Sequence, residues 1–342
     1  MIVVIRNYYY YWGGCFRSLG KIDKAKEIYF KIIKIDPTNT VSQRLIIDYL
    51  STDELIQHRE NLLKLSKLNL ADFKRVELFF GLGIVNERLA DYKNSSDYFT
   101  QANDLKRKLN PFNFNILESH FKDLLNVYGE ISFDSNNLTN QKKIIFIVGL
   151  PRSGTSLVEA ILGANNEIYN AGEIPNLKKI IRDEFIINGN LDIKKISKAK
   201  KTQDDKIYNK YVNLESLEST VEKIITDKNT ENFKFLGLIN IFFNNAKIIN
   251  CIRDPFENYC SLYKTNFNSK ALNWTNSKKE IKLYANYYFE LIKFWKSKKL
   301  TNILDLNFEE LLANPDETIN KLINFCELED KYKYKNFYKS KV

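Results

Sequence analysis

The hydrophobic pattern of this chain changes character near residue 140. Before it, apolar and small residues fall at the offsets of a 34-residue helix-turn-helix unit. Tyr9 to Pro37 places Trp12, Gly13, Phe16, Gly20, Ala25, Tyr29 and Pro37 at those offsets, and Phe79 to Ala102 repeats them with Leu82, Gly83, Ala90, Ser95, Phe99 and Ala102. Small residues stand where two helices cross and aromatics fill the seam. Gly13 and Gly83 lie about two repeat lengths apart, so a degenerate unit is expected around Glu54 to Leu70. Pro111 then breaks the helical pattern, Leu117 to Tyr128 reads as one more amphipathic helix, and Ser135-Asn136-Asn137 reads as a loop. Past Asn140 the run Ile144-Ile145-Phe146-Ile147-Val148, inside Lys143 to Gly149, is continuous and rich in β-branched residues, as in a strand buried on both faces of a parallel sheet. Ala246 to Cys251 and Asn302 to Leu306 read the same way, with helical segments such as Lys278 to Lys296 between them. The pattern predicts helical repeats over residues 1–110, a connecting helix and linker over 111–141, and an α/β domain with a largely parallel sheet over 142–342.

Length and composition agree with two domains. A chain of 342 residues exceeds the size at which single cores usually stop growing. Hydrophobic residues make up 44% and charged residues 27%, and no run approaches the roughly 20 apolar residues of a membrane span. The first dozen residues hold one Arg and four consecutive Tyr, without the apolar core of a signal peptide, so a cytoplasmic location is expected. Cys15, Cys251, Cys260 and Cys326 are far apart, with no paired spacing and no nearby His, and read as reduced thiols rather than zinc ligands. The net charge of +10 comes from scattered lysines and not from a basic stripe, so it predicts no nucleic-acid partner.

The chemistry concentrates after the first strand. Gly149-Leu150-Pro151-Arg152-Ser153-Gly154-Thr155-Ser156 leads into the helical Leu157 to Leu162. A strand, a loop with two glycines and a helix N-terminus form an anion cradle, because unpaired backbone N–H groups and the helix dipole converge there. Gly149, Gly154 and Ser156 match a nucleoside-triphosphate loop, but Thr155 stands where that loop needs the lysine that reaches the outer phosphates. Arg152 supplies a fork of donors suited to a terminal phosphate or sulfonate.

These residues resemble the 5′-phosphosulfate loop of sulfotransferases that use 3′-phosphoadenosine 5′-phosphosulfate. The resemblance continues through Ala171-Gly172-Glu173, Thr226-Asp227-Lys228, Asn232-Phe233, Gly237-Leu238-Ile239, Arg253-Asp254-Pro255, Ser261 and Phe308-Glu309, about 195 residues in all. The helical block resembles tetratricopeptide repeats, which often precede such domains, including in bacterial proteins similar to protein-tyrosine sulfotransferases. The implied fold is a P-loop-like parallel α/β sulfotransferase domain behind an all-α repeat domain. The implied co-substrate is 3′-phosphoadenosine 5′-phosphosulfate, without a metal, and the partners are a hydroxyl-bearing acceptor and a peptide or protein on the repeats.

The resemblance assigns roles residue by residue. Pro151, Arg152, Ser153, Gly154, Thr155 and Ser156 hold the 5′-phosphate and sulfonate, while Arg253 and Ser261 hold the 3′-phosphate. The acceptor hydroxyl must lose a proton, and the two histidines, His58 and His120, both precede the α/β domain. The base is then expected to be a carboxylate unless a histidine of the helical block reaches across; the resemblance implies Glu173, which would serve if buried with a raised pKa. Lys228 occupies the catalytic-lysine position, facing charge that builds on the leaving oxygen. Three departures stand out. Asn229-Thr230 lacks a usual Pro, which predicts a less rigid loop; Phe308 replaces a common Tyr; and relatives continue past the equivalent of Asn336 to Lys339, which predicts a truncated C-terminal part. The competing reading is a non-catalytic repeat scaffold with a degenerate nucleotide-binding domain.

Overall fold

The computed structural model describes residues 14–16, 20–131, 142–187, 189–202, 205–243, 245–298, 300, 302–329 and 334. Trp12 and Gly13 of the first repeat, the loop at Ser135 to Asn137, the boundary at Asn140 and the tail Asn336 to Lys339 lie outside them. By packing, the described residues of Met1–Asn113 join those of Tyr259–Lys282 in one unit, and those of Phe114–Asn258 join Leu283–Ser340 in a second. No helix among the described residues is long and apolar enough to cross a membrane.

The first unit is helical: α1 (Ile22–Ile35), α2 (Thr40–Leu45), α3 (Thr52–Ser66), α4 (Asp72–Arg88) and α5 (Tyr92–Leu109). The segment expected to hold a degenerate repeat is α3, which opens on a capping box: Ser51 accepts from the Glu54 amide, and Glu54 accepts from the Ser51 amide. Its core runs through Ile28, Tyr29, Ile32, Ile47, Leu62 and Leu82. Helices α4 and α5 are antiparallel, since Phe80 meets Phe99 while Gly83 meets Ser95 earlier on α5. Between them Ala90 takes a left-handed φ of 59°, and the Asp91 amide returns to the Asn86 carbonyl, closing the turn. At the crossing the Ser95 hydroxyl donates to the Gly83 carbonyl at 2.9 Å. A Cβ on Gly83 would fall 2.7 Å from the Phe99 ring.

The same unit also binds a much later stretch of chain. Asn103 Nδ2 donates to the Tyr263 carbonyl at 2.9 Å, and Lys106 Nζ donates to Asn266 Oδ1 and to the Phe267 carbonyl. Arg107 reaches the Asn273 carbonyl and Glu280, and Lys264 pairs with Glu87. Burial lowers the Lys106 pKa to about 8.

The second unit is built on α6 (Phe114–Gly129), β1 (Lys143–Gly149), α7 (Thr155–Leu162), β2 (Ile168–Asn170), α8 (Asn176–Phe185), the short antiparallel pair β3 (Ile186–Ile187) and β4 (Asn190–Leu191), α9 (Ile193–Thr202), α10 (Lys206–Asn213), β5 (Ile224–Asp227), α11 (Leu236–Phe242), β6 (Lys247–Ile252), α12 (Pro255–Tyr263, which ends in the first unit), α13 (Lys278–Ser297), β7 (Ile303–Asn307), α14 (Phe308–Ala313) and α15 (Pro315–Phe325). Five strands form one parallel sheet in the order β2-β5-β1-β6-β7. β1 is central and buried from Ile144 to Gly149, as its unbroken apolar run predicts. Because side chains alternate, Ile145 and Ile147 pack with Val158, Leu162, Ile249 and Leu322 on one face. Phe146 meets Tyr211 and Phe243 on the other. The three predicted strands are present within one residue at each end, and β2 and β5 complete the sheet.

The close crossing at Gly83 is testable. Gly83→Ala should gain up to about 1 kcal/mol of helix propensity but lose about 2–3 kcal/mol to overpacking against the buried Phe99 ring. Thermal and urea unfolding should therefore show a net loss; an unchanged or raised midpoint refutes the crossing geometry.

Candidate active site at the carboxyl ends of the strands

The loop after β1 is shaped by backbone geometry before any side chain acts. A Cβ on Gly149 would lie 2.6 Å from the Cys251 carbonyl, so only glycine lets β1 end this close to β6. Arg152 and Gly154 both take positive φ, 69° and 95°, which curls the loop before α7 begins at Thr155. Successive amides at such a turn form an anion-binding concavity, and the first-turn amides of a helix lack partners within it. The Ser153 amide instead closes the turn by donating to the Leu150 carbonyl at 3.2 Å. Ser153 Oγ is buried and has no hydrogen-bond partner among the described residues. Thr155 is buried, whereas Arg152 and Ser156 are exposed.

Arg253, just after β6, reaches the same loop. Its Nη1 donates to the Arg152 carbonyl at 3.2 Å, and its guanidinium lies 5.0 Å from the centre of the Phe308 ring. Arg253 Nε is buried and without a partner among the described residues. Phe308 also packs on Gly154, where a Cβ would fall 2.4 Å from the ring. The ring read from sequence only as a lost hydroxyl is therefore the wedge between loop and guanidinium. Sequence reasoning missed Asn258, whose Nδ2 donates to the Pro151 carbonyl at 3.0 Å; an Asn on a helix carries no signal of that contact. Ser261 lies farther along α12, among the residues that pack with the helical unit.

On the other side of β1, strands β2 and β5 carry Glu173 and Lys228 just past their ends. The ladder continues beyond the strands: the Ala171 amide donates to the Thr226 carbonyl at 3.2 Å, and the Lys228 amide donates to the Gly172 carbonyl at 2.9 Å. Lys228 Nζ then donates to Glu173 Oε1 at 2.7 Å. The lysine side chain is 9% exposed and the glutamate 68%. The expectation of a buried Glu173 is thus corrected: the turn faces outward, and it is the lysine that is sheltered. Of the two histidines, His58 lies in the helical unit against the Gln43 carbonyl, and His120 on α6 lies among Lys234, Asp123 and Glu231. Burial lowers the pKa of both.

Asp227, between Thr226 and Lys228, is fully buried. Its Oδ1 accepts from the Asn229 amide at 3.0 Å and its Oδ2 from the Tyr211 hydroxyl at 2.8 Å. Burial outweighs those bonds and pushes its pKa up to about 7. Asn229 also donates to the Ile174 carbonyl and accepts from the Glu231 amide. These bonds, rather than a proline ring, fix the turn that the sequence suggested would be looser. Among the described residues no group of three or more His, Cys, Asp or Glu side chains could hold a metal ion. None of the four cysteines forms a disulfide, and Cys251 and Cys326 are buried.

A family description reading "Sulfotransferase family" matches residues 145–332, more than half of the chain. The chain belongs to the sulfotransferase family. It is 28% identical over 336 residues to an uncharacterised protein of Aquifex aeolicus, covering 95% of this chain and 44% of that protein. This sulfotransferase-family chain thus spans less than half the length of that relative. It is 22% identical over 198 residues to a Caenorhabditis briggsae protein named "Putative protein-tyrosine sulfotransferase", covering 56% of this chain and 68% of that one. Among solved structures it is similar to sulfotransferase STF1 of Mycobacterium tuberculosis, with a TM-score of 0.38 and 14% identity over 84% of this chain and 92% of that one.

The raised pKa of Asp227 sets a pH test. Between the ordinary carboxyl value of 3.8 and about 7, the unfolded chain has lost a proton that the folded chain keeps. The contribution of Asp227 to stability therefore falls as pH rises, by up to about 1.4 kcal/mol per pH unit. Urea unfolding from pH 4 to 8 should show the stability of the native protein falling relative to Asp227→Asn across that window; parallel curves refute it.

Proposed function

We propose that this chain transfers a sulfuryl group from 3′-phosphoadenosine 5′-phosphosulfate to a hydroxyl acceptor. One observation carries the reading: Glu173, Lys228, the loop 151–156 and Arg253 stand past the carboxyl ends of four neighbouring strands, β2, β5, β1 and β6. That edge of a parallel sheet is where phosphorylated ligands bind. The residues fit an anionic donor, since Ser153 Oγ and Arg253 Nε are buried donors without partners among the described residues, at a loop whose curl presents amides.

The bound donor would supply an activated sulfuryl group. Arg152, the hydroxyls of Thr155 and Ser156 and the amides of Gly154 and Thr155 hold its 5′-phosphate and sulfonate, with the Ser153 amide added by the resemblance alone. Arg253 takes the 3′-phosphate, with Ser261 added by the resemblance alone. Glu173 accepts the proton of the attacking hydroxyl, and its exposure leaves it open to an acceptor arriving from solvent. Lys228 is sheltered, so its charge is weakly screened where negative charge develops on the leaving oxygen. A peptide tyrosine is the first acceptor to try, given the name of the Caenorhabditis briggsae relative; sugar and lipid hydroxyls also suit a carboxylate base. We assign the helical unit to the tetratricopeptide type, with a peptide or protein as its partner.

Calorimetric titration with 3′-phosphoadenosine 5′-phosphate tests the donor. Binding without magnesium is expected, weakened about 30-fold, or about 2 kcal/mol, in Arg152→Ala and in Arg253→Ala through loss of a charge-assisted phosphate contact. Unchanged affinity in both variants sinks the donor assignment. Magnesium-dependent ATP binding would indicate triphosphate chemistry instead, and binding of neither ligand a scaffold. Glu173→Gln should keep this affinity and lose transfer of labelled sulfate to acceptor; full transfer by the variant would move the base elsewhere.

A further inference from the structure

One buried carboxylate near the site has no role in that scheme. Glu159 lies on α7, the helix that begins at the anion loop, and is only 9% exposed. Its Oε1 accepts from the Gly172 amide at 3.1 Å and from the Thr226 hydroxyl at 2.9 Å. Gly172 takes a left-handed φ of 70°, and a Cβ there would meet nothing within 4 Å. It is therefore glycine for its backbone angle and not for space. A glycine in that conformation does not hold itself in place. Here its N–H is tied to Glu159 and its C=O to the Lys228 amide at 2.9 Å. The next residue is Glu173, whose Oε1 meets Lys228 Nζ at 2.7 Å. Thr226, the second donor to Glu159, stands two residues before Lys228 on β5.

We propose that Glu159 is a positioning residue: from the helix that starts at the anion loop it fixes the Gly172 turn, and through it the placement of Glu173 against Lys228. Helix, turn and strand end are thereby locked to one another by a single carboxylate oxygen. The backbone part of this claim stands on the hydrogen bonds alone; its effect on turnover rests on the reading of Glu173 as the base.

Three variants of the full chain test it. Glu159→Met keeps most of the volume and removes the acceptor, Glu159→Ala removes both, and Glu159→Gln keeps an Oε1. In Glu159→Met, kcat for sulfuryl transfer should fall about 30-fold while KM for the donor stays within about 3-fold, the signature of a lost catalytic alignment rather than lost binding. Hydrogen exchange at the Gly172 amide should rise by about 10-fold or more as its acceptor disappears. Glu159→Gln should restore both quantities to within about 3-fold of the native protein. If Glu159→Ala does not fold, the Met and Gln pair carries the test. Unchanged exchange and kcat in Glu159→Met overturn the proposal, and so does a Gln variant as impaired as Met, since packing or charge would then matter and not the acceptor. A native protein that transfers no sulfuryl group defeats the functional reading only; faster Gly172 exchange in Met, reversed in Gln, still establishes the positioning.

Discussion

Parallel pairing of β1 with a strand on each side governs the site. β1 gives its backbone hydrogen bonds to β5 and β6, and its side chains are buried on both faces, so a one-residue slip in register would swap the side chains fitted to one layer with those fitted to the other and spoil the packing of both. Register therefore fixes which residues emerge at the carboxyl edge. Gly149 pairs with Cys251, which brings the loop after β1 level with the end of β6. Phe146 pairs with Asp227, so β5 stops pairing three residues earlier, a step of about 10 Å at the rise of a strand. Arg253 consequently stands level with the loop and touches it, whereas Lys228 and Glu173 emerge lower, beneath it.

That step explains why the two halves of the edge are built by different means. On the β6 side the contacts are close and glycine-dependent: Gly149 against the Cys251 carbonyl, and Gly154 against Phe308, with the ring also under Arg253. On the β5 side the ladder outruns the strands through the amides of Ala171 and Lys228, and beyond it Lys228 Nζ donates to Glu173. Asp227 is buried because it sits where β5 is still flanked by sheet. It ties the following turn through the Asn229 amide and anchors Tyr211, an aromatic packed on Phe146 of the central strand.

Much of this was legible in the sequence because it depends on local pattern. The β-branched run of β1, the glycines of the loop and the small residues at the α4–α5 crossing each answer to one backbone requirement, and each predicted its element. What could not be read depends on contacts distant in sequence. Asn258 holds Pro151 from 107 positions away, and nothing in its neighbourhood marks it out. Phe308 reads as a missing hydroxyl because its packing on Gly154 requires the third dimension. Glu173 was expected to be buried because a general base is often tuned by burial, but the turn built on the left-handed Gly172 directs it outward. The joining of Tyr259–Lys282 to the helical unit is likewise invisible to any scan that cuts the chain where its composition changes.

The exposure of the Glu173–Lys228 pair is asymmetric, and the asymmetry has a physical consequence. An ammonium 9% exposed interacts with neighbouring charge through little water, while a carboxylate 68% exposed is solvated on most of its surface. A lysine so placed is the more costly to leave unpaired, so the glutamate serves it as a counter-ion when no other anion is near. An incoming anion at the strand ends would compete for the same ammonium. To the extent that it drew Lys228 away, it would free Glu173 to accept a proton from solvent-side chemistry. Register sets both residues beneath the loop, and within the pair the lysine is sheltered while the glutamate faces solvent.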